Sequence, residues 1–190
     1  MVTQYVKIPL DRIGVLIGHN GIVKEGIEKK SETRIEVDSK EGEVCIESIE
    51  GGDPVKALRV VDVIKAIGRG FSPEKAFALL EDDFLLIDVI SIAHLTPKML
   101  KRVKGRVIGR NGRTRRVIEN LADVKISVYG KTIGIIGYSH QIRTAHEAIE
   151  MLINGAPHSA VYSLLERKRR EEERNFFADE SREREQGKEF

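Results

Sequence analysis

Two short stretches of this chain carry a pattern suited to holding a phosphate. Gly18-His19-Asn20-Gly21 and Gly109-Arg110-Asn111-Gly112 each place two residues between glycines, and each follows an isoleucine, Ile17 or Ile108. Glycines without Cβ atoms let the backbone turn sharply and let a ligand approach it closely. If a helix follows, its first N–H groups and the positive end of its dipole favour an anion. One copy of so short a pattern is weak and reads equally well as a tight helix–helix turn. Two copies in matching surroundings weigh strongly toward a shared function. Around the second loop the basic residues are Lys98, Lys101, Arg102, Lys104, Arg106, Arg110, Arg113, Arg115 and Arg116, with no Asp or Glu among them. A charge run is usually a solvated helix face. This one is unneutralised and brackets a phosphate-type loop, which predicts a groove that tracks a phosphate backbone. The first loop is milder: Lys24, Lys29 and Lys30 are diluted by Asp11, Glu25 and Glu28.

The elements that position these loops also come in two copies. Val15–Gly21 aligns with Arg106–Gly112 at an offset of 91, and Ile35 and Val37 fall on Ile126 and Val128. Further on the offset is 85, so that Gly70, Phe77 and Leu79-Leu80-Glu81 meet Gly155, Tyr162 and Leu164-Leu165-Glu166. A repeat this long is a duplicated domain rather than a solenoid unit. In the first copy Tyr5–Ile8 reads as a strand, and Asp11 is a candidate cap for a short helix ending at Gly18. A helix bearing Ile22, Val23 and Ile27 follows. Thr33–Val37 and Glu43–Glu47 then alternate as a hairpin around Lys40-Glu41-Gly42. Asp53-Pro54 opens a long helix, and Ser72-Pro73-Glu74 a short one. The second copy repeats the order, with strands at 86–93, 124–128 and 132–136, helices opening at Thr96-Pro97, Gly112 and Ser139, and a last helix after Pro157. The expected fold class is α+β. It has two tandem β-α-α-β-β-α domains, each a three-stranded antiparallel sheet with helices on one face, plus one extra helix per copy. The expected boundaries are 1–81, 82–166 and a charged helix or tail over 167–190.

Composition narrows the partners. Residues 1–90 hold 12 Lys and Arg against 17 Asp and Glu, a balance of −5, and residues 91–190 hold 20 against 13, a balance of +7. A polyanion therefore feels the second half more strongly. The lone cysteine, Cys45, excludes an intramolecular disulfide and reads as a small buried residue. Neither a signal peptide nor a long apolar run is present, which predicts a cytoplasmic chain with no membrane partner. No catalytic or metal-binding constellation is visible. Asp82, Asp83 and Asp88 read as linker or helix-end residues, and His140 and His146 lack an i, i+4 metal spacing. No enzymatic activity, metal or cofactor is expected. Phe176-Phe177 stands out in the charged tail as a packing or docking pair.

Each half resembles a type I KH domain, with Ile17–Gly21 and Ile108–Gly112 at the family's signature loop. The resemblance covers about residues 4–70 and 86–155. It implies that each loop clamps about four backbone nucleotides of single-stranded RNA beside a groove that reads unstacked bases. It further implies that the strands of Ile35/Val37 and Ile126/Val128 form one groove wall. KH sequences usually place an apolar residue three positions after the second glycine. Lys24 and Arg115 stand there instead, implying a less apolar first groove and stronger backbone contacts in the second. The residues implied to bind RNA are Ile17, Gly18, His19, Asn20, Gly21, Lys24 and Ile35 in the first copy. In the second they are Lys104, Arg106, Ile108, Gly109, Arg110, Asn111, Gly112, Arg113, Arg115, Arg116 and Ile126. The tandem pair resembles the archaeal form of the two-KH-domain ribosome-biogenesis family, whose eukaryotic member partners the Nob endonuclease. That resemblance implies an adaptor for the 3′ region of small-subunit rRNA, with a Nob-type endonuclease or a translation initiation factor as candidate protein partners. The alternative is a KH-bearing scaffold subunit of an RNA-degradation or translation-initiation complex, suggested by the acidic first half and charged tail.

Overall fold

Alternating apolar residues lay down two sheets, and helices with one apolar stripe cover them. The computed structural model describes residues 3–49 and 53–186. The first half runs β1 (Thr3–Lys7), α1 (Leu10–Ile17), α2 (Ile22–Ser31), β2 (Thr33–Asp38), β3 (Glu43–Ser48), α3 (Pro54–Gly68) and α4 (Pro73–Glu81). The second runs β4 (Leu86–Ser91), α5 (Pro97–Ile108), α6 (Arg113–Ala122), β5 (Lys125–Tyr129), β6 (Thr132–Gly137), α7 (Ser139–Ile153) and α8 (His158–Gln186). Each sheet is antiparallel with its last strand in the centre, in the order β1-β3-β2 and β4-β6-β5. The expected α+β class and repeated β-α-α-β-β-α order are what the chain adopts.

The cores follow from the periodicities. Val6, Ile35, Val44 and Ile46 of the first sheet meet Ile13 and Leu16 of α1, Ile27 of α2 and Val60, Ile64 and Ile67 of α3. The second core repeats this with Ile90, Ile126, Ile133 and Ile135 against Val103, Val107, Ile118, Ile149 and Leu152. Start signals act as their chemistry predicts at α3 and α5. Asp53 Oδ1 accepts from Val55 N–H at 2.9 Å, and Thr96 Oγ1 accepts from Met99 N–H at 3.4 Å, each before a proline in the first turn.

Three expectations need correction. Asp11 does not cap α1: Pro9 stands at that position, and the Asp11 carboxylate instead accepts the Tyr129 hydroxyl of the second half. Asp88 is not a linker residue. It lies in β4, with Oδ2 2.8 Å from His146 Nδ1 on α7. Cys45 is only half-buried, because it lies opposite Tyr5 on the face of β3 turned away from the helices, and Tyr5 is 65% exposed. Described side chains end at Asn175, so Phe176 and Phe177 lie outside them.

The two halves pack through a contact between their sheet and helices. The first sheet leaves its outer face open. The second sheet does not, and every residue of β6 is buried. Phe71, in the α3–α4 connection, is 1% exposed and sits against Gly134, where a Cβ would come within 2.7 Å of its ring. Gly70 has φ +92°, and a Cβ there would lie 2.6 Å from that of Tyr129. Ser127 Oγ donates to Arg69 O at 2.9 Å, and Tyr138 donates to Asp82 Oδ2 at 2.6 Å. That bond holds the Asp82 carboxyl below its ordinary pKa and raises the Tyr138 phenol; the Asp11 carboxylate likewise raises Tyr129. Among the described residues, no helix is long and apolar enough to cross a membrane.

Candidate nucleic-acid interface

The two glycine loops fold alike. Gly18 and Gly109 both leave their helix with φ near +73° and extended ψ (φ 74°, ψ 176° and φ 72°, ψ 173°). That conformation is essentially restricted to glycine. Asn20 and Asn111 both have φ 52°, in the left-handed region that Asn tolerates best after Gly. Gly21 and Gly112 are left-handed too, and α2 and α6 then begin with no side-chain cap. The first N–H groups of α2 and α6 are thus left uncapped by any side chain, beside the exposed side chains of His19-Asn20 and Arg110-Asn111.

The glycines differ in what requires them. A Cβ at Gly109 would lie 2.7 Å from Thr114 N, and one at Gly18 3.0 Å from Val23 N, so the following helix leaves no room. A Cβ at Gly112 would meet nothing nearer than 4.0 Å. The first glycine closes the turn, and the second keeps the approach to the helix end open.

The surrounding cations divide by role. Arg110 and Arg113 are exposed beside the loop. Arg116 Nη2 donates to Asn111 O at 2.8 Å, bracing the loop from the next turn of α6. Arg115 Nε lies 3.7 Å from Glu119 Oε2, and Lys24 Nζ 3.6 Å from Glu28 Oε1, so the residues that depart from the KH pattern pair with their own helices. Those glutamates also fasten helix to strand: Glu28 Oε1 accepts from Ile35 N–H at 2.7 Å, and Glu119 Oε1 from Ile126 N–H at 2.9 Å. Arg106 donates through Nε to Leu152 O at 3.1 Å and through Nη2 to Ala156 O. Its guanidinium caps α7 as well as adding charge. Lys104 and Ile108 are half-buried on α5, and Ile17 packs against the first core.

Ile35 and Ile126 do not line the surface. They are 0% and 1% exposed, on the strand face turned to the helices, so their side chains lie beneath a groove rather than along it. Their strand neighbours Val37 and Val128 are partly buried and closer to solvent. The residues that the resemblance implies bind RNA leave out Arg102, a member of the basic run, and His158 and Tyr162, although all three gather behind the second loop. The signal was available in the alignment of the copies, where Asp11 stands opposite Arg102, Pro73 opposite His158 and Phe77 opposite Tyr162.

Known proteins share this arrangement. Residues 84–170 match a family profile described as the eukaryotic-type KH domain, KH-domain type I. A KH domain-containing protein of Methanocaldococcus jannaschii is 42% identical over 177 residues, covering 92% of this chain and 77% of that one. The RNA-binding protein pno1 of Dictyostelium discoideum is 33% identical over 164 residues, covering 84% and 69%. A shorter match reaches the pre-rRNA-processing protein PNO1 of Saccharomyces cerevisiae, 35% identical over 116 residues, 60% of this chain and 42% of that one. Among solved structures, a chain in the a/eIF2alpha–aDim2p–rRNA complex of Pyrococcus horikoshii superimposes with a TM-score of 0.86 at 47% identity, covering 90% of this chain and 95% of its own.

Proposed function

This chain belongs to the Pno1/Dim2 family of KH-domain proteins, and from that premise we propose that it is a non-catalytic adaptor that binds single-stranded rRNA during small-subunit maturation. The observation that carries this is the second loop: a glycine-only turn opening an uncapped helix, with exposed arginines and no acid in the run around it. Backbone N–H groups and guanidiniums hold phosphates by hydrogen bonds and fixed charge. Neither shuttles protons, so the site is built to bind and position rather than to cleave. The P. horikoshii neighbour is in a complex with rRNA, and the relatives carry pre-rRNA-processing names, which supports rRNA as the strand. Within rRNA, the 3′ region of the small subunit is the proposed target, with a Nob-type endonuclease as the separate cutting partner. The binding residues are the two loops with Lys24, Lys104, Arg106, Arg113, Arg115 and Arg116, and the second half carries the larger share because of its charge. The two halves serve as separate KH units over 1–81 and 82–166.

The same complex contains a/eIF2alpha, which favours a translation initiation factor as an additional protein partner. The test is a fluorescence-anisotropy titration of a labelled strand from the rRNA 3′ end across a salt series. Arg110→Asp/Asn111→Asp should abolish selective binding, and His19→Asp/Asn20→Asp should weaken it less. Each phosphate that a variant no longer holds should lower the salt slope by roughly 0.7. Unchanged affinity in both double variants would make the loops structural and turn attention to protein partners.

A further inference from the structure

The second loop has a back as well as a front. On the flank turned to α8 lies an open cavity of about 440 Å³. Its walls carry Arg102 and Arg106 of α5, Arg110 and Arg113 at the loop and α6, and His158 and Tyr162 of α8. No residue of β5 borders it, so it is distinct from the groove that the KH resemblance sets between loop and strand.

Arg102, Arg110 and Arg113 make no ion pair or side-chain hydrogen bond among the described residues. Arg106 is neutralised by no acid, since both its bonds run to carbonyls. Four like charges around one concavity raise its potential and attract an anion. The walls are also fixed in place. His158 Nε2 donates to Arg106 O at 3.1 Å, and the Tyr162 hydroxyl is 3.1 Å from Thr114 Oγ1. The two rings stand 6.2 Å apart at 56°, offering faces on which a base can stack.

The first copy provides an internal control. The positions equivalent to these six are Asp11, Val15, His19, Ile22, Pro73 and Phe77, with no fixed positive charge among them. Arg12 of the first copy makes the two bonds of Arg106, to the equivalent carbonyls of Ile67 and Phe71, so that guanidinium is architectural in both copies. Folding does not require Arg102, Arg110 or Arg113, because the first copy builds the same architecture with no cation at their equivalent positions.

We propose that this cavity holds the phosphate and base of a nucleotide flanking the four gripped at the loop, so that the strand wraps behind the loop onto α8. The inference rests on the reading of the loop as an RNA clamp. It is tested by anisotropy on the full chain with a four-nucleotide strand from the rRNA 3′ end and the same strand extended by three nucleotides at either end. One extension should tighten binding about tenfold, the scale of a charge-assisted phosphate contact with stacking. Arg102→Ala should remove that gain, lower the salt slope by roughly 0.7, and leave the tetramer unaffected. Arg143→Ala, an equal loss of charge elsewhere on α7, should change nothing. The proposal is overturned if neither extension adds affinity, or if the gain survives Arg102→Ala. Failure of the clamp reading looks different: no strand binds the wild type, or Arg110→Asp/Asn111→Asp leaves binding intact, and the cavity proposal then falls with it.

Discussion

At the scale of single residues, a Gly-x-x-Gly pattern hides two different demands. Gly109 combines a glycine-only backbone with a neighbour, Thr114 N, that would meet a Cβ at 2.7 Å. Gly112 needs only a left-handed φ and has free space around it. Gly109→Ala should therefore cost about 3 kcal/mol, combining strain and clash. Gly112→Ala should cost about 1 kcal/mol. Urea denaturation of the two variants measures this, and equal losses would mean that the loop relaxes around the substituted methyl. That the glycines mattered was legible in the sequence. Why each mattered was not, because the atom crowding Gly109 belongs to the next helix. Ile35 and Ile126 show the same limit: their place in the alternation made them strand residues of interest, but only the packing shows that both point into the core.

At the scale of elements, the duplication made most of the fold readable. Equivalent helices end alike, with Glu32 after α2 and Asp123 after α6 in left-handed conformations at φ 54° and 50°. Glu suits that conformation poorly and Asp tolerates it better, whereas glycine adopts it without a Cβ penalty. Asp123 gains something in return, since its Oδ2 accepts from Gln141 Nε2 at 3.1 Å. Among the described residues the Glu32 side chain has only the exposed pair with Lys56 at 3.1 Å, of a kind that contributes little. Glu32→Gly should thus stabilise the chain by roughly 0.5–1 kcal/mol, raising the melting midpoint by about 1–4 °C. Asp123→Gly should gain less or lose stability. A calorimetric scan of both compares them directly, and a lower midpoint for Glu32→Gly would show that the ion pair outweighs the strain. Helix ends of this sort escape sequence reading because Glu and Asp carry no stop signal. The αL turn is imposed by the strand that must start one residue later after Glu32 and two after Asp123.

At the scale of the whole molecule, the halves are alike but covered unequally. β3 alternates as Glu43-Val44-Cys45-Ile46-Glu47-Ser48, as suits a strand with one face in water, whereas β6 reads Thr132-Ile133-Gly134-Ile135-Ile136-Gly137 with no polar alternation. An antiparallel strand with that composition must be covered on both faces. The difference was visible in the sequence, although nothing in it named the cover. The cover is the α3–α4 connection of the first half, with Phe71 seated over Gly134. This asymmetry couples the acidic half to the basic one and leaves only the first sheet with an open face. Phe71 also belongs to the first core, so its removal acts on both sides. Phe71→Ala should cost about 3–5 kcal/mol and loosen the link between the halves. Differential scanning calorimetry should then resolve two transitions where the parent chain shows one, the first half melting earlier. A single transition that shifts down while calorimetric and van't Hoff enthalpies still agree would contradict this. In that case Phe71 merely fills the first core, and the coupling runs through the hydrogen bonds of Ser127, Tyr129 and Tyr138.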